Sequence, residues 1–479
     1  MSVIAIDQGT TSTRALVLEG SGKATITHVI EHKQHYPQTN WVEHNPDELM
    51  ANIHKCIEIS LSTHPDIDTL GIDNQGESCL AWHADTKKAL SPVIVWQDSR
   101  TQDVIDALKV KGLEQQTLEL SGLPLDPYFS ASKLTWLIKN NPAVKTALDE
   151  GNLRLGTTDA FFIDRLTGHF VTDITTASRT SLMNLKTGQW DNELCQLFEV
   201  PIETLPRIVS TTGNFGSFKV EDKTIQISTS ICDQQASLFG HGCRRSGDIK
   251  ITFGTGAFAF AITGNKPVLA GDHGLLPTPA WKVENMKSIY ALDGGVYNAG
   301  SAINWAKSLG LFESFDQING FSKNSAIESG LVFVPALSGL ACPHWDRNAA
   351  GLWIGLSLDT SPLDMMQAVL EGISFRAAEV IQAMEKYTQV GNRISIDGGL
   401  SANPYFCQFL ANVLNKEITV QEFPEVTALG TAQLARGDFE KSNITDNELT
   451  RYQPEKDMGT KLETFSQAIA FSRGWFDNK

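Results

Sequence analysis

Two polar turns, far apart in the chain, carry residue types that hold phosphate. The first spans Asp7 to Ser12 directly after the apolar run 3–6, and the second spans Gly254 to Gly256 after the run 249–253. A carboxylate at a strand end can hold Mg²⁺ directly or through water, while glycine and hydroxyl residues bring N–H and O–H donors close to an anion. Alone, the first turn is equally typical of a plain polar hairpin. The matching second turn favours two hairpins that grip a triphosphate between them.

Asp233 is a candidate for acid–base chemistry. It stands just before the segment 236–240, which we expect to be a short helix. One interpretation is structural, because a carboxylate at or near a helix start caps free backbone N–H groups. The other is catalytic, because a carboxylate that the helix dipole keeps ionised can accept the proton of a hydroxyl. Both interpretations stay open at this point.

Three further residues have side chains suited to a small polyol. Glu77 would supply a carboxylate for hydroxyl groups, and Trp96 and Tyr128 would supply aromatic faces for a carbon chain. Taken singly, they are equally typical of a solvated strand end, a core tryptophan and a tyrosine in a proline-led turn. Their spacing alone does not choose between these interpretations.

The elements around these residues predict an α/β protein with a repeated half. Apolar runs at 3–6, 15–18 and 25–30 predict an antiparallel meander, followed by a helix from Pro46 to about Leu61 and a strand of the parallel type at 69–73. Strand, glycine turn and strand recur at 249–262, and a long helix from Leu363 to Tyr387 then leads into a strand at 394–397. This self-similarity predicts two large domains, residues 1–245 and 246–479, rather than three.

Composition and charge exclude several classes of protein. Apolar residues make up 41% of the chain and charged residues 20%, which is typical of a globular protein and not of a disordered one. The net charge of −16 argues against nucleic acid or an anionic membrane surface as a partner. No apolar run is long enough to span a bilayer, so we expect no membrane insertion. The cysteines form no disulfide or zinc pattern and no leader is expected, so we predict a cytoplasmic protein.

These residues carry a resemblance to a known family. The chain resembles the FGGY family of carbohydrate kinases over nearly its whole length, in the form found in members that phosphorylate glycerol. Any one matching segment would be modest support, whereas several in the family's order are strong support. The segments are 6–14 (IDQGTTSTR), 41–44 (WVEH), 128–137 (YFSASKLTWL), 351–375, 397–399 with Asn403, and 426–430 (VTALG).

The resemblance implies a duplicated actin-like, ribonuclease-H-like ATPase fold, with two lobes around a closing cleft. It implies ATP-dependent phosphorylation of a terminal hydroxyl of a small polyol, above all glycerol, with Mg²⁺ present, Asp233 as the base, and assembly into a dimer or tetramer. The residues implied to hold the polyol are Glu77, Trp96, Tyr128, Asp233, Gln234 and Phe258. Those implied to hold the nucleotide are Thr10, Thr11, Ser12, Arg14, Thr255, Gly300, Asn304, Gly399 and Asn403, with Asp7 and Asp233 at the metal.

Two departures from the family pattern bear on binding, one at the polyol and one near the nucleotide. Gly76 stands where the pattern has an arginine directly before Glu77, so we expect a weaker grip on one hydroxyl and room for a larger molecule. A kinase of a tetritol, a pentulose or another small polyol is therefore an alternative. Asn304 stands where the family often has glutamine, a smaller change.

A rival function from another class is that of an actin-like ATPase acting as a chaperone or filament subunit.

Overall fold

The computed structural model describes residues 1–440, 449–473 and 475, and this part of the chain forms both strands and helices. The strands are β1 (Val3–Gln8), β2 (Ser12–Leu18), β3 (Ala24–Glu31), β4 (Glu43–His44), β5 (Thr69–Asn74), β6 (Cys79–His83), β7 (Val93–Ile94), β8 (Leu153–Thr157), β9 (Val171–Asp173), β10 (Met183–Asn184), β11 (Gln189–Trp190), β12 (Arg207–Val209), β13 (Ser217–Val220), β14 (Lys223–Cys232), β15 (Ile249–Phe253), β16 (Ala257–Gly264), β17 (Leu276–Trp281), β18 (Ile289–Val296), β19 (Val332–Val334), β20 (Leu352–Ile354), β21 (Arg393–Gly398), β22 (Glu417–Gln421) and β23 (Leu449–Tyr452).

The helices lie between these strands and cover their faces. They are α1 (Pro46–Thr63), α2 (Gln102–Val110), α3 (Glu114–Leu120), α4 (Ser130–Asn140), α5 (Pro142–Asp149), α6 (Thr158–Thr167), α7 (Ile174–Ala177), α8 (Asn192–Leu197), α9 (Asp233–Gly240), α10 (Gly300–Ser308), α11 (Pro362–Glu385), α12 (Pro404–Leu414), α13 (Val426–Arg436) and α14 (Leu462–Ser472).

The first large sheet has six strands in the order β13-β14-β5-β1-β2-β3. Strands β1, β2 and β3 form the predicted antiparallel meander, and β5 pairs with β1 in parallel, as predicted. Every residue of β1 and β5 is buried, because helices cover both faces of the sheet. Strand β14 pairs with β5 in parallel and ends at Cys232, so Asp233 follows at the same sheet edge as the β1–β2 turn.

The second large sheet has seven strands in the order β17-β18-β16-β15-β21-β22-β23. Its central strand β15 pairs with β16 in an antiparallel hairpin and with β21 in parallel, just as β1 pairs with β2 and β5. Strand β22 then extends β21 in parallel, as β14 extends β5. The repeated strand–turn–strand pattern predicted from the sequence is confirmed, because both halves use the same pairing order around one central strand.

Local capping explains where two of the predicted helices begin. The Asn45 side chain accepts hydrogen bonds from the Asp47 and Glu48 N–H groups, and Pro46 occupies the first turn of α1. Ser361 and Asp364 form a reciprocal capping box at the start of α11. Both helices start within one residue of their predicted positions, and α11 buries most of its length against the second sheet.

Helix α13 belongs to the C-terminal half of the chain but packs on α9 and on the first sheet. A Cβ atom added to Gly430 would lie 2.0 Å from the Ala236 carbonyl oxygen, and one added to Gly240 would lie 2.1 Å from that of Val426. The two helices therefore touch backbone to backbone through glycines. The domain boundary near residue 245 stays a prediction. In the described part of the chain, no helix combines the length and the apolar character needed to cross a membrane.

Candidate active site

A polar cavity of about 150 Å³ collects the residues expected to hold a polyol. Its walls are formed at the ends of β5 and β14 of the first sheet, by residues within β16 and β18 of the second sheet, and by the loops before α2 and α4. Because parallel strands of one sheet end at the same edge, residues distant in the sequence meet there. The lining residues are Thr10, Gly76, Glu77, Trp96, Tyr128, Arg179, Cys232, Asp233, Gln234, Gln235, Phe258, Phe260 and Asp293.

Asp233 is the first residue of α9, and Cys232 rather than Asp233 occupies the cap position. One carboxylate oxygen of Asp233 accepts a hydrogen bond from the Gln234 N–H at 2.6 Å. Burial, followed by the charges of Glu77 and Asp7, raises the pKa of Asp233 to about 7. Burial and the neighbouring carboxylates therefore act against the ionisation that a position at the start of a helix favours. A carboxyl group that titrates near neutrality is suited to take a proton from a hydroxyl.

Glu77 is buried and held in an uncommon backbone conformation. Its φ is 59°, in the left-handed region, and its carbonyl oxygen accepts a hydrogen bond from the Ser130 hydroxyl at 2.9 Å. Such backbone strain persists where surrounding contacts hold it and is concentrated at functional sites. The strained turn aims the Glu77 side chain at Arg179, whose Nε donates to Glu77 Oε1 over 2.5 Å. The solvated interpretation of Glu77 was wrong, because the residue is only 4% exposed.

Arg179 joins Glu77 to a second buried carboxylate, Asp293. Its Nη2 lies 3.3 Å from Asp293 Oδ2. Burial alone would lower the pKa of Arg179, but Glu77 and Asp293 hold that pKa well above its ordinary value. The cavity therefore contains a guanidinium group although position 76 is glycine.

The space directly beside Gly76 is filled by a neighbouring side chain. A Cβ atom built at this position would lie 2.7 Å from Cys232 Sγ and 3.7 Å from Arg179 Cγ. The first distance is shorter than any real contact, so the cysteine occupies the space that a side chain at position 76 would need. A pocket enlarged further from the backbone, where an arginine side chain would have reached, stays a prediction.

Aromatic rings form the apolar side of the cavity. The Trp96 and Tyr128 rings pack edge to face, with centroids 5.7 Å apart, and Phe258 lines the cavity from β16. The Trp96 indole N–H donates to the Thr10 hydroxyl at 3.1 Å. This hydrogen bond ties the cavity to the β1–β2 turn.

Gln234 is oriented by a lysine from the second sheet. The fully buried Lys250 donates from Nζ to Gln234 Oε1 and to the Thr252 hydroxyl, both at 2.8 Å. With its carbonyl oxygen engaged, Gln234 presents its amide nitrogen as the group able to donate to a ligand.

The β1–β2 turn holds the residues expected at the phosphates. Thr10 borders the cavity, Thr11 is exposed, and Ser12 is buried with its carbonyl oxygen accepting from the Gly9 N–H at 3.0 Å. Arg14 forms ion pairs with Asp7 at 3.5 Å and with Glu425 at 3.4 Å. Its charge is therefore shared with two carboxylates at this edge of the sheet.

Asp7 has a carboxylate neighbour, Asp73, that sequence reasoning missed. The two residues are direct partners in the parallel pairing of β1 with β5. The Thr431 hydroxyl donates to Asp73 Oδ2 at 2.6 Å, whereas the buried Oδ1 has no hydrogen-bond partner. Burial and the Asp7 charge hold the pKa of Asp73 well above its ordinary value, and burial also raises that of Asp7.

A second, more apolar pocket of about 490 Å³ lies beside the β15–β16 turn. It brings together every residue predicted for the adenosine side of the nucleotide and adds an apolar wall that was not predicted. Asn403 also caps α12, because its Oδ1 accepts from the Phe406 N–H at 2.7 Å while its Nδ2 donates to the Ile318 carbonyl at 2.8 Å. The lining residues are Phe253, Gly254, Thr255, Gly300, Ile303, Asn304, Phe315, Ile318, Asn319, Gly399, Leu400, Ala402 and Asn403.

The residues that sequence reasoning missed in the polyol cavity carry little local signal. Arg179 and Asp293 lie 102 and 114 positions from the groups they meet. The available signal was a single arginine in the segment 175–181 (TTASRTS), whose other residues are all small or polar. A solvated surface arginine does not require such neighbours.

Known proteins and protein families have the same architecture. The model of the FGGY family of carbohydrate kinases, N-terminal domain, matches residues 2–240, and that of the C-terminal domain matches residues 249–436. The glycerol kinase of Rhizobium meliloti (strain 1021) is 37% identical over 494 residues, covering 98% of both chains.

Solved structures give the same result. The crystal structure of Plasmodium falciparum glycerol kinase with ADP has a TM-score of 0.89 and 30% identity, covering 98% of both chains. The ligand-bound xylulose kinase from Lactobacillus acidophilus has a TM-score of 0.85 and 25% identity, covering 98% of this chain and 96% of that one. The expectation of a duplicated, two-lobed actin-like α/β fold is confirmed, and a chaperone or filament subunit is not supported. The chain, from its paired hairpins to its helix α13, belongs to the FGGY family of carbohydrate kinases.

Proposed function

We propose that this protein transfers the terminal phosphoryl group of ATP to a terminal hydroxyl of glycerol, giving glycerol 3-phosphate and ADP. The observation that carries the proposal is the cavity in which Glu77, Asp233 and Gln234 face the rings of Trp96 and Phe258. Carboxylates and an amide bind hydroxyl groups, and the rings cover the carbon chain. Full-length likeness to glycerol kinases supports the same substrate.

The size of the cavity favours a three-carbon polyol. A volume of about 150 Å³ accommodates a molecule of about six non-hydrogen atoms, as glycerol is. Charge favours a neutral substrate, because Glu77, Asp233 and Asp293 all face the cavity and would repel an acid.

Asp233 acts as the base in the proposed reaction. Its ionised carboxylate accepts the proton of the terminal hydroxyl as that oxygen attacks the γ-phosphorus in line with the leaving ADP oxygen. The turns at Thr10 and Thr255 supply backbone N–H groups and hydroxyls on either side of the phosphates. Closure of the two halves, which stays a prediction, would exclude water as a competing acceptor.

The residues present fit a Mg²⁺ site that is completed by the nucleotide. Mg²⁺ prefers oxygen ligands and usually takes one or two carboxylates together with phosphates and water. Asp7 and Asp233 supply such carboxylates, and the unpaired Oδ1 of Asp73 lies beside Asp7. Across the described residues, no three metal-ligating side chains converge by themselves. When bound, Mg²⁺ offsets negative charge on the phosphate oxygens.

A substrate panel tests this function. ADP release is measured with ATP and Mg²⁺ for glycerol, erythritol, dihydroxyacetone, xylulose and glycerate, and compared as kcat/KM. We expect glycerol to exceed the others by about 10-fold or more, because an unmatched group in a polar pocket leaves buried partners unpaired. Glycerate probes the charge argument at nearly constant size. A higher value for erythritol or xylulose would overturn the proposal and establish the tetritol or pentulose alternative.

Location and assembly extend the proposal. A cytoplasmic location is supported by the use of ATP and by seven buried cysteines that are all free thiols. Assembly into a dimer or tetramer stays a prediction. Size-exclusion chromatography with light scattering measures the mass of the assembly directly.

A further inference from the structure

The guanidinium of Arg179 is fixed inside the polyol cavity by a turn rather than by a long element. The turn at Ser178–Thr180 follows α7. Its shape is held by the Ser178 hydroxyl, which donates to the Thr175 carbonyl at 2.6 Å, and by the Thr180 hydroxyl, which donates to the Ala177 carbonyl at 2.7 Å. Arg179 itself is only 3% exposed, yet it lines the cavity. Arg179 is thus held in a fixed position in the wall of the cavity.

One nitrogen of this guanidinium has no protein partner. Nε donates to Glu77 and Nη2 to Asp293, whereas the buried Nη1 makes no hydrogen bond. A buried charged donor left unpaired is costly, so a donor of this kind at a cavity wall indicates a ligand acceptor. Rings on the other side restrict the group further, since the Tyr128 and Phe129 centroids lie 5.9 and 5.6 Å from its central carbon.

The two carboxylates complete a matched set of groups for hydroxyls. Arg179 engages one oxygen of Glu77 and one of Asp293, so the other oxygen of each can accept from a hydroxyl. A hydroxyl both donates and accepts, and it can therefore bind a carboxylate oxygen and Nη1 together. A carbonyl oxygen could satisfy only the donor.

We propose that Arg179 is a substrate-binding residue that donates from Nη1 to a hydroxyl of the polyol and orients Glu77 for the same hydroxyl. This inference rests on the proposed function and adds a specificity-determining residue to it. Arg179 supplies from a distant turn the guanidinium that is missing at Gly76. Cys232 makes the two arrangements exclusive, because its Sγ occupies the space beside position 76.

The test compares Arg179→Lys with the native protein and with Arg207→Lys, a control at an exposed arginine. Lysine keeps a positive charge beside Glu77 but cannot reach Glu77, Asp293 and substrate at once. We expect KM for glycerol to rise by about 10-fold or more in Arg179→Lys, while KM for ATP stays within about twofold. Thermal unfolding and ADP binding verify that each variant is folded.

A second variant separates binding from a structural role. This variant adds Gly76→Arg and Cys232→Gly to Arg179→Lys. It returns a guanidinium to the cavity from the other side. We expect KM for glycerol to fall again by about threefold or more, since the donor is restored without restoring the turn. A general loosening of the fold would not be reversed in this way.

The outcomes distinguish the inference from the proposed function. A native protein that phosphorylates another polyol instead of glycerol refutes the function, and the same variants are then measured with that polyol. An Arg179→Lys protein with native KM for its best acceptor, or with equal increases in KM for acceptor and ATP, refutes the inference. A selective increase that the second variant reverses supports it.

Discussion

The indole N–H of Trp96 donates to the hydroxyl of Thr10 over 3.1 Å and so joins the polyol cavity to the phosphate turn. The two side chains come from positions 86 residues apart, yet the bond links the two proposed substrate sites directly. Trp96 also packs against Tyr128, so a movement of the phosphate turn changes the ring wall that faces the polyol. Binding of one substrate should therefore affect the geometry offered to the other.

Replacement of Trp96 by phenylalanine tests this link. A smaller aromatic ring stays while the indole donor is lost, and Thr10→Val removes the acceptor with little change in volume. We expect each single variant to lower kcat by about 3- to 10-fold and the double variant to be little worse than either, because both remove the same hydrogen bond. Steady-state kinetics for the four proteins measure the coupling. Additive losses would show that the bond transmits nothing.

Asp233→Asn should abolish transfer without abolishing nucleotide binding. The amide keeps the shape of the side chain but cannot accept the hydroxyl proton, so we expect a fall in kcat of about 100-fold or more. ADP binding, measured by calorimetry, should stay near native because the pocket predicted to hold adenosine lies around Asn403 and Gly300. Near-native turnover of glycerol by this variant would exclude Asp233 as the base.

The pH dependence of kcat/KM for glycerol should reflect the pKa of Asp233. The group acts as a base in its ionised form, and its pKa of about 7 means that activity falls as pH drops through neutrality and levels off above it. An ordinary aspartate would place that fall near pH 4. A profile between pH 5 and 8 with MgATP well below saturation measures this fall, because Asp233 then begins each turnover without the metal beside it. A flat profile over this range would contradict the raised pKa.

Asn403→Asp should weaken nucleotide binding selectively. The carboxylate keeps the cap of α12 but loses the Nδ2 donor that holds the Ile318 carbonyl, and Ile318 forms part of the adenosine pocket. We expect KM for ATP to rise by about 3- to 10-fold with KM for glycerol unchanged. Parallel titrations of the two substrates measure this, and equal increases in both would refute it.

Gly430→Ala should destabilise the contact of α13 with α9. The added Cβ would lie 2.0 Å from the Ala236 carbonyl oxygen, so the helices must separate, at an expected cost of about 1–3 kcal/mol in the free energy of unfolding. Gly320→Ala is the matched control, because a Cβ there meets nothing within 4 Å. Denaturant unfolding compares the two variants. Equal stabilities would mean that the helix contact is not tight.

The sequence by itself determined the local elements and the identity of most site residues. Runs such as 3–6 and 249–253, each followed by a polar turn, predict their strands because alternation of strand and turn depends on neighbouring residues. The family motifs then assigned Glu77, Asp233 and Asn403 to their pockets. Both kinds of information are local in the chain, and the structure brings these residues together as expected.

The tertiary structure decided what depends on distant residues meeting. The ion pair of Arg179 with Glu77, the overlap of Cys232 with the space beside Gly76 and the pairing of Asp7 with Asp73 all join segments with no spacing signal. The pKa of Asp233 likewise depends on burial and on charges that only the fold brings near. Contacts and desolvation arise from the packing of distant segments, and the local sequence pattern does not predict that packing.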